Sequence, residues 1–237
     1  MKKIIKKIIP EKIKRKLKKH SDNWFDGYAT KSYSQEGEDM ILRRIFEYSK
    51  PGFYVDVGAH HPKRFSNTYY FYKKGWSGIN IDAMPNSMKS FNKLRPKDKN
   101  IESAISDERK KMTYYIFDEP AVNTLDPQMV DKGIKDGYKL IKKQKIITKT
   151  LKDILLDTIP KNKKINFMNI DVEGFDLQVI KSNDFNIFRP EYILVEMHGT
   201  KVENIQNTEI YKLLNKKNYA FFGKTILTLI FKDQLLK

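Results

Sequence analysis

Cysteine does not occur anywhere in the 237 residues. Its absence excludes disulfides, thiolate metal sites and any covalent mechanism with a Cys nucleophile, including the cysteine-dependent C5 methylation of pyrimidines. Long apolar runs are missing as well. No stretch approaches the roughly 20 apolar residues of a membrane-spanning helix, and no signal-peptide core or small-residue cleavage site follows the basic start. Glycine numbers only 11, and the G-x-G-x-x-G spacing of a pyrophosphate-binding turn does not occur. Acidic charge is in deficit, with 29 Asp and Glu against 46 Lys and Arg. What remains suits one large domain, because hydrophobic residues at 40% and aromatic residues at 12% exclude wholesale disorder.

The basic excess is uneven. Residues 1 to 20 hold ten Lys or Arg and one Glu, so a net +9 of the total +17 sits in a short tail and +8 in the other 217 residues. In that tail Ile4, Ile5, Ile8 and Ile9 share one helical face between lysine pairs; Pro10 interrupts, and Ile13 and Leu17 continue the apolar line. A basic amphipathic segment of this kind lies on an anionic membrane surface, each Lys or Arg near it contributing about 1 kcal/mol. The bland alternative is a solvated extension. Residues 1–30 are therefore expected to be an N-terminal extension and residues 31–237 a single domain.

Past residue 30, strands and helices alternate. Residues 32–39 open a helix that carries Ile41, Leu42, Ile45 and Phe46 at helical spacing. Apolar runs at 53–57, 77–81, 101–105, 165–170 and 192–195 read as strands. Helices are expected at about 67–74, after Pro85, after Thr150, around Phe175, Val179 and Ile180, and around Ile210, Leu213 and Leu214. A terminal hairpin is expected around Gly223, and the weakly patterned segment 106–145 is expected to be a mobile insertion. Such alternation implies a mostly parallel sheet covered on both faces, with ligands at the carboxyl ends of its strands.

Four of those ends carry acids: Asp56, Asp82, Asp171 and Glu196. One acid alone would be read as a helix cap. Four at one sheet edge define a site.

The residues at these positions resemble a known family. Ser34-Gln35-Glu36-Gly37-Glu38-Asp39, Phe53 to Ala59, Ser66-Asn67-Thr68, Gly75 to Asp82, Ala104-Ile105-Ser106-Asp107 and Asn169-Ile170-Asp171-Val172-Glu173-Gly174 are similar, in order and spacing, to the FkbM family of S-adenosylmethionine-dependent methyltransferases. The chain departs from the family pattern at His60 and Pro62, where members commonly have Asn and Gly. The resemblance implies a Rossmann-like class I methyltransferase fold with a terminal antiparallel hairpin, S-adenosylmethionine as cofactor, and a hydroxyl of a sugar or glycan-related molecule as acceptor. It implies that Asp56 and Gly58 hold the methionyl part, Asp82 the ribose, and Ile105, Ser106 and Asp107 the adenine, with Asn67, Thr68 and Asp171 completing the cofactor site.

A sugar hydroxyl becomes an efficient nucleophile once its proton is removed, and Asp171, Glu173 and His198 are the candidate bases. Asp171, Glu173, Glu196 and His198 also carry the donor types of a divalent-cation site, but no metal is assigned on spacing alone. A nucleic-acid methyltransferase is the first competing reading. It is disfavoured because the strand before Asp171 lacks the proline-proline-aromatic turn of base amino-group methylation, so no nucleic-acid partner is expected. The second is a non-catalytic glycan-binding or membrane-tethered scaffold, which failure to bind the cofactor would favour. The expected location is the cytoplasm, at the inner face of the membrane if the tail engages lipid; the sequence does not fix the oligomeric state.

Overall fold

The computed structural model describes residues 10–25, 27–161 and 163–236. The chain divides into two units, one up to Ser32 and one from Tyr33. The described part of the first holds the helix Glu11–Trp24, which begins directly after Pro10. Ile13 and Leu17, four residues apart and so on one helix face, are 50% and 57% exposed. Ile4, Ile5, Ile8 and Ile9 lie outside the described residues. Among the described residues no helix is long and apolar enough to cross a membrane.

Among the described residues the second unit contains ten strands: β1 Phe53–Val57, β2 Ser77–Asp82, β3 Lys99–Glu102, β4 Ala104–Ile105, β5 Lys111–Phe117, β6 Leu140–Lys149, β7 Phe167–Ile170, β8 Tyr192–Glu196, β9 Tyr219–Lys224 and β10 Thr228–Asp233. Seven form one sheet in the order β3-β2-β1-β7-β8-β10-β9. Neighbours from β3 to β8 run parallel, whereas β10 is antiparallel to both β8 and β9. The expected architecture is present: a mostly parallel α/β sheet that ends in an antiparallel hairpin.

Both faces of the central strands are covered, which is why they read as nearly continuous apolar runs. Val55, Val57, Ile79, Met168 and Ile170 pack with Leu151, Leu155 and Val179 from helices on one face. Tyr54, Phe167 and Leu194 pack with Leu42, Phe71 and Trp76 on the other. Strand alternation places Asp56 and Asn169 on the Tyr54 face. The chain runs outward from β1 to β3 and later returns to lay β7 on the other side of β1, so the crevice between their carboxyl ends is the topological switch point.

Three expectations need correction. The strand expected over 101–105 is broken at Ser103: β3 joins the large sheet, while β4 pairs with β6 in a separate three-stranded sheet. The segment 106–145 is regular and not an unstructured insertion, because β5 and β6 form an antiparallel ribbon around the helix Pro127–Lys135. Lysines on the exposed strand positions masked the period of two: Ile141, Lys143, Lys145 and Ile147 point outward, alternating with the half-buried Gln144 and Ile146. Asp126-Pro127 starts that helix, since the Asp126 carboxylate accepts the Gln128 N–H at 2.9 Å and proline suits the first helical position. Finally, the terminal hairpin turns at 225–227, and Gly223 lies within β9 beside a register irregularity between Ile230 and Phe231.

Candidate functional site

The loops leaving β1 and β7 pass unusually close. The Asp171 N–H donates to the Val57 carbonyl at 2.9 Å. A Cβ on Gly58, whose φ is +82°, would stand 1.6 Å from the Asp171 carbonyl oxygen. Glycine is required there for both backbone conformation and space.

Beyond Asp171 the chain makes a strained turn, with Glu173 at φ +52° and Gly174 at φ +90°. A non-glycine residue in that region costs about 1–3 kcal/mol and persists only where its surroundings enforce it. Three bonds do so: Thr124 Oγ1 donates to the Glu173 carbonyl at 2.7 Å, and the N–H groups of Val172 and Gly174 donate to the Asp176 carboxylate at 3.2 Å each. The turn directs the Glu173 carboxylate to His198, whose Nε2 is 3.7 Å from Glu173 Oε2 and 3.2 Å from Glu196 Oε2.

Burial and crowding set the charge states. Burial, reinforced by Glu196 and Glu173, pushes the Asp171 carboxyl well above the ordinary carboxylate range. Burial also raises Glu173, against the opposing effect of His198. Asp176 is pushed up to about 8 by burial and then by Glu196. His198 is pushed up to about 10 by Glu173 and Glu196, so at neutral pH it is an imidazolium and a counter-ion to this cluster.

On the other side of the switch point, Asp82 ends β2 with each carboxylate oxygen engaged once, Oδ1 by the Met84 N–H at 2.7 Å and Oδ2 by the His60 N–H at 2.9 Å. Burial raises its pKa, and these two bonds oppose the shift. Asp56 is held in a buried network: it accepts from Thr68 Oγ1 at 2.7 Å and Asn169 Nδ2 at 3.0 Å, while Asn67 Nδ2 donates to Asn169 Oδ1 at 2.8 Å. Ser106 Oγ donates to Asp107, which is also paired with Lys110 at 3.1 Å; these two partners hold Asp107 below its usual value.

Two adjoining cavities open here. A narrow slot is lined by Val57, Gly58, Ile81, Asp82, Ala83, Ile105, Leu125, Asp171 and Glu173 among others. A wider cavity shares Gly58, His60, Ala121, Asp171 and Glu173 with it and adds Asp56, Asn169, Glu196 and His198. Asn67 lines a third, small polar space with Asp171 and Glu196. The fold thus brings Gly58, Asp82, Ile105, Asp171, Glu173 and His198 to one crevice, and places Thr68, Ser106 and Asp107 outside the lining of all three spaces. Sequence reasoning missed Gln35, Arg64, Phe65, Glu119, Lys132 and Tyr138, which also line the wider cavity. Arg64 and Glu119 are 55 positions apart and meet in a two-point ion pair at 2.9 and 3.0 Å, a pairing with no local signal.

The Methyltransferase FkbM domain model matches residues 56–221, most of the chain. No curated protein matches. Among solved structures, a TehB-like SAM-dependent methyltransferase from Corynebacterium glutamicum is 8% identical, with 91% of this chain and 98% of that chain covered at a TM-score of 0.45. The 1,6-didemethyltoxoflavin-N1-methyltransferase of Burkholderia thailandensis, solved with 1,6-didemethyltoxoflavin and S-adenosylhomocysteine, is also 8% identical, with 95% and 90% covered at a TM-score of 0.45. TehB from Haemophilus influenzae is 12% identical, with 92% and 67% covered at a TM-score of 0.39.

Proposed function

Because the chain belongs to the FkbM family of methyltransferases, we propose that it methylates a hydroxyl of a sugar or glycan-related acceptor. S-adenosylmethionine, when bound, supplies the methyl group on a sulfonium cation, a donor that needs no phosphate cradle. The chemistry of the slot's lining suits its nucleoside part: Ile81, Ala83, Ile105 and Leu125 give apolar walls, and Asp82 gives one carboxylate. A carboxylate has about four acceptor positions, so Asp82 keeps capacity for ribose hydroxyls beyond the His60 and Met84 bonds. The slot holds about 50 Å³ and the wider cavity about 330 Å³. Ligand pockets usually hold roughly 300–1,000 Å³, so donor and acceptor draw on both spaces.

The observation that carries the hydroxyl reading is Asp171, which lines both cavities and whose raised pKa brings a carboxylate toward the range of an efficient general base. We assign proton acceptance to Asp171. Glu173 and His198 are then its electrostatic setting, since an imidazolium has no proton-accepting lone pair. The wider cavity supports a polyhydroxylated acceptor through Gln35, Arg64, Glu119 and Lys132 as hydrogen-bonding groups and Phe65 and Tyr138 as aromatic faces.

Calorimetry with S-adenosylmethionine, followed by a methylation screen of nucleotide sugars and glycan fragments, tests this function. Asp82→Ala should weaken S-adenosylmethionine binding roughly ten- to a hundredfold, because hydrogen bonds to charged groups are worth about 1.5–3 kcal/mol. Unchanged affinity in an Asp82→Ala protein that melts like wild type removes Asp82 from the site.

The tail adds a location to the proposal. Residues 1–20 should bind anionic vesicles, with an affinity that falls as salt rises, and the truncated chain should lose that binding while methylating a soluble acceptor normally. Equal cosedimentation of full-length and truncated protein would leave the tail a solvated extension.

A further inference from the structure

We propose that Glu173, Glu196 and His198 form a binding site for a divalent first-row cation beside Asp171. One carboxylate oxygen from each glutamate and one ring nitrogen of His198 lie within 4.8 Å of one another. A cation held at about 2.0–2.2 Å from each donor needs those separations to be no more than about 4.4 Å, a closure of a few tenths of an ångström. The neighbouring Gly199 has φ +68° and no atom within 4 Å of where a Cβ would stand, so the backbone after His198 has room to adjust.

An independent observation concerns Glu196. The Glu196 side chain is only 10% exposed, and its Oε2 is buried without a hydrogen-bond partner although His198 Nε2 stands 3.2 Å away. The other carboxylate, Glu173, is 3.7 Å from the same nitrogen, beyond hydrogen-bonding distance. One N–H therefore cannot satisfy two converging carboxylates. Lys132 lines the same cavity, but its nearest acidic partner is Asp136, at 3.9 Å. A cation that displaces the His198 proton would be held by both carboxylates and by the ring nitrogen so freed, and would answer all three groups together. Two oxygens and one imidazole suit Mn²⁺ or Zn²⁺ better than an all-oxygen ion such as Ca²⁺, and three protein ligands leave coordination positions open.

The role of the cation, unlike its binding, rests on the methyl-transfer reading: an acceptor hydroxyl at an open position would lose its proton more readily, with Asp171 adjacent to receive it. The test is titration of the full chain, freed of metal by chelator, with Mn²⁺, following the free-ion electron paramagnetic resonance signal, with Zn²⁺ as competitor. One Mn²⁺ per chain should bind saturably, and Glu196→Gln and His198→Ala should each weaken it by roughly 10- to 100-fold. Absence of saturable binding by either ion overturns the site, as does unchanged Mn²⁺ affinity in both variants with wild-type melting. Calorimetry with S-adenosylmethionine on the same samples separates the two proposals. Cofactor binding without Mn²⁺ binding ends the cation site alone, and Mn²⁺ binding without cofactor binding supports the site and ends the methyl-transfer reading.

Discussion

Replacing Asp171 with asparagine should lower turnover by roughly 10²–10⁴-fold, the range that a positioned general base supplies, while S-adenosylmethionine affinity stays near wild type. Asparagine keeps the size of the side chain and its hydrogen-bonding reach but cannot take up a proton. The pH profile gives the second reading. A base works when deprotonated, and the Asp171 carboxyl is raised by burial and by Glu196 and Glu173. Wild-type turnover should therefore climb with pH past the ordinary carboxylate range and level off once Asp171 is ionised; Asp171→Asn should lose that climb. If turnover instead rises toward pH 10, the value to which His198 is pushed, and the rise disappears in His198→Ala, the base is His198. Wild-type turnover in Asp171→Asn removes Asp171 from the chemistry.

Arg95→Met should destabilise the second unit by about 3–5 kcal/mol, the usual cost of removing one partner of a buried ion pair. Arg95 is wholly buried; its Nε donates to Asp98 Oδ2 at 2.8 Å and its Nη2 to the Tyr54 hydroxyl at 2.9 Å. Asp98 also accepts the Gly78 N–H at 2.9 Å and Asn80 Nδ2 at 3.0 Å. The pair therefore joins β1 and β2 to the turn before β3. Without the guanidinium, the Asp98 carboxylate is left buried with no counter-charge. In a domain of this size each kcal/mol shifts the melting temperature by about 2–4 °C, so a fall of roughly 6–20 °C is expected in a thermal melt. The double variant Arg95→Met, Asp98→Asn should melt higher than Arg95→Met alone, because it removes the stranded charge. A single variant within 2 °C of wild type would show that the network contributes little.

Neither network was legible in the same way as the strands. Phe53–Val57 and Ser77–Asp82 announce themselves as short apolar runs with a polar residue at or near the end, and Thr150 announces a helix by its side chain, which accepts the Asp153 N–H at 3.1 Å. These are local signals, carried by a few adjacent residues. Arg95 reads as one more basic residue in a lysine-rich stretch, and only its enclosure by Tyr54, Tyr72, Phe91 and Asp98 in the folded chain buries it. The β5–β6 ribbon was missed for a related reason: its exposed lysines obscured the alternation, and its stability comes from pairing across more than twenty intervening residues.

By itself the sequence determined the class of architecture and the sheet edge that carries the site, because strand periodicity, the glycine two residues after Asp56 and the acid closing each strand are properties of neighbouring residues. Tertiary structure alone decided what each acid does. Asp56 is held by Thr68 and Asn169 in the wall of the wider cavity, Asp82 faces the slot, and Asp171 lines both cavities. It also decided the charge of His198, a residue of near-neutral pKa in isolation, by bringing Glu173 from the turn after β7 and Glu196 from the end of β8 against its ring. A carboxylate's proton affinity depends on the water removed from it and the charges placed within a few ångströms, and both are set by folding.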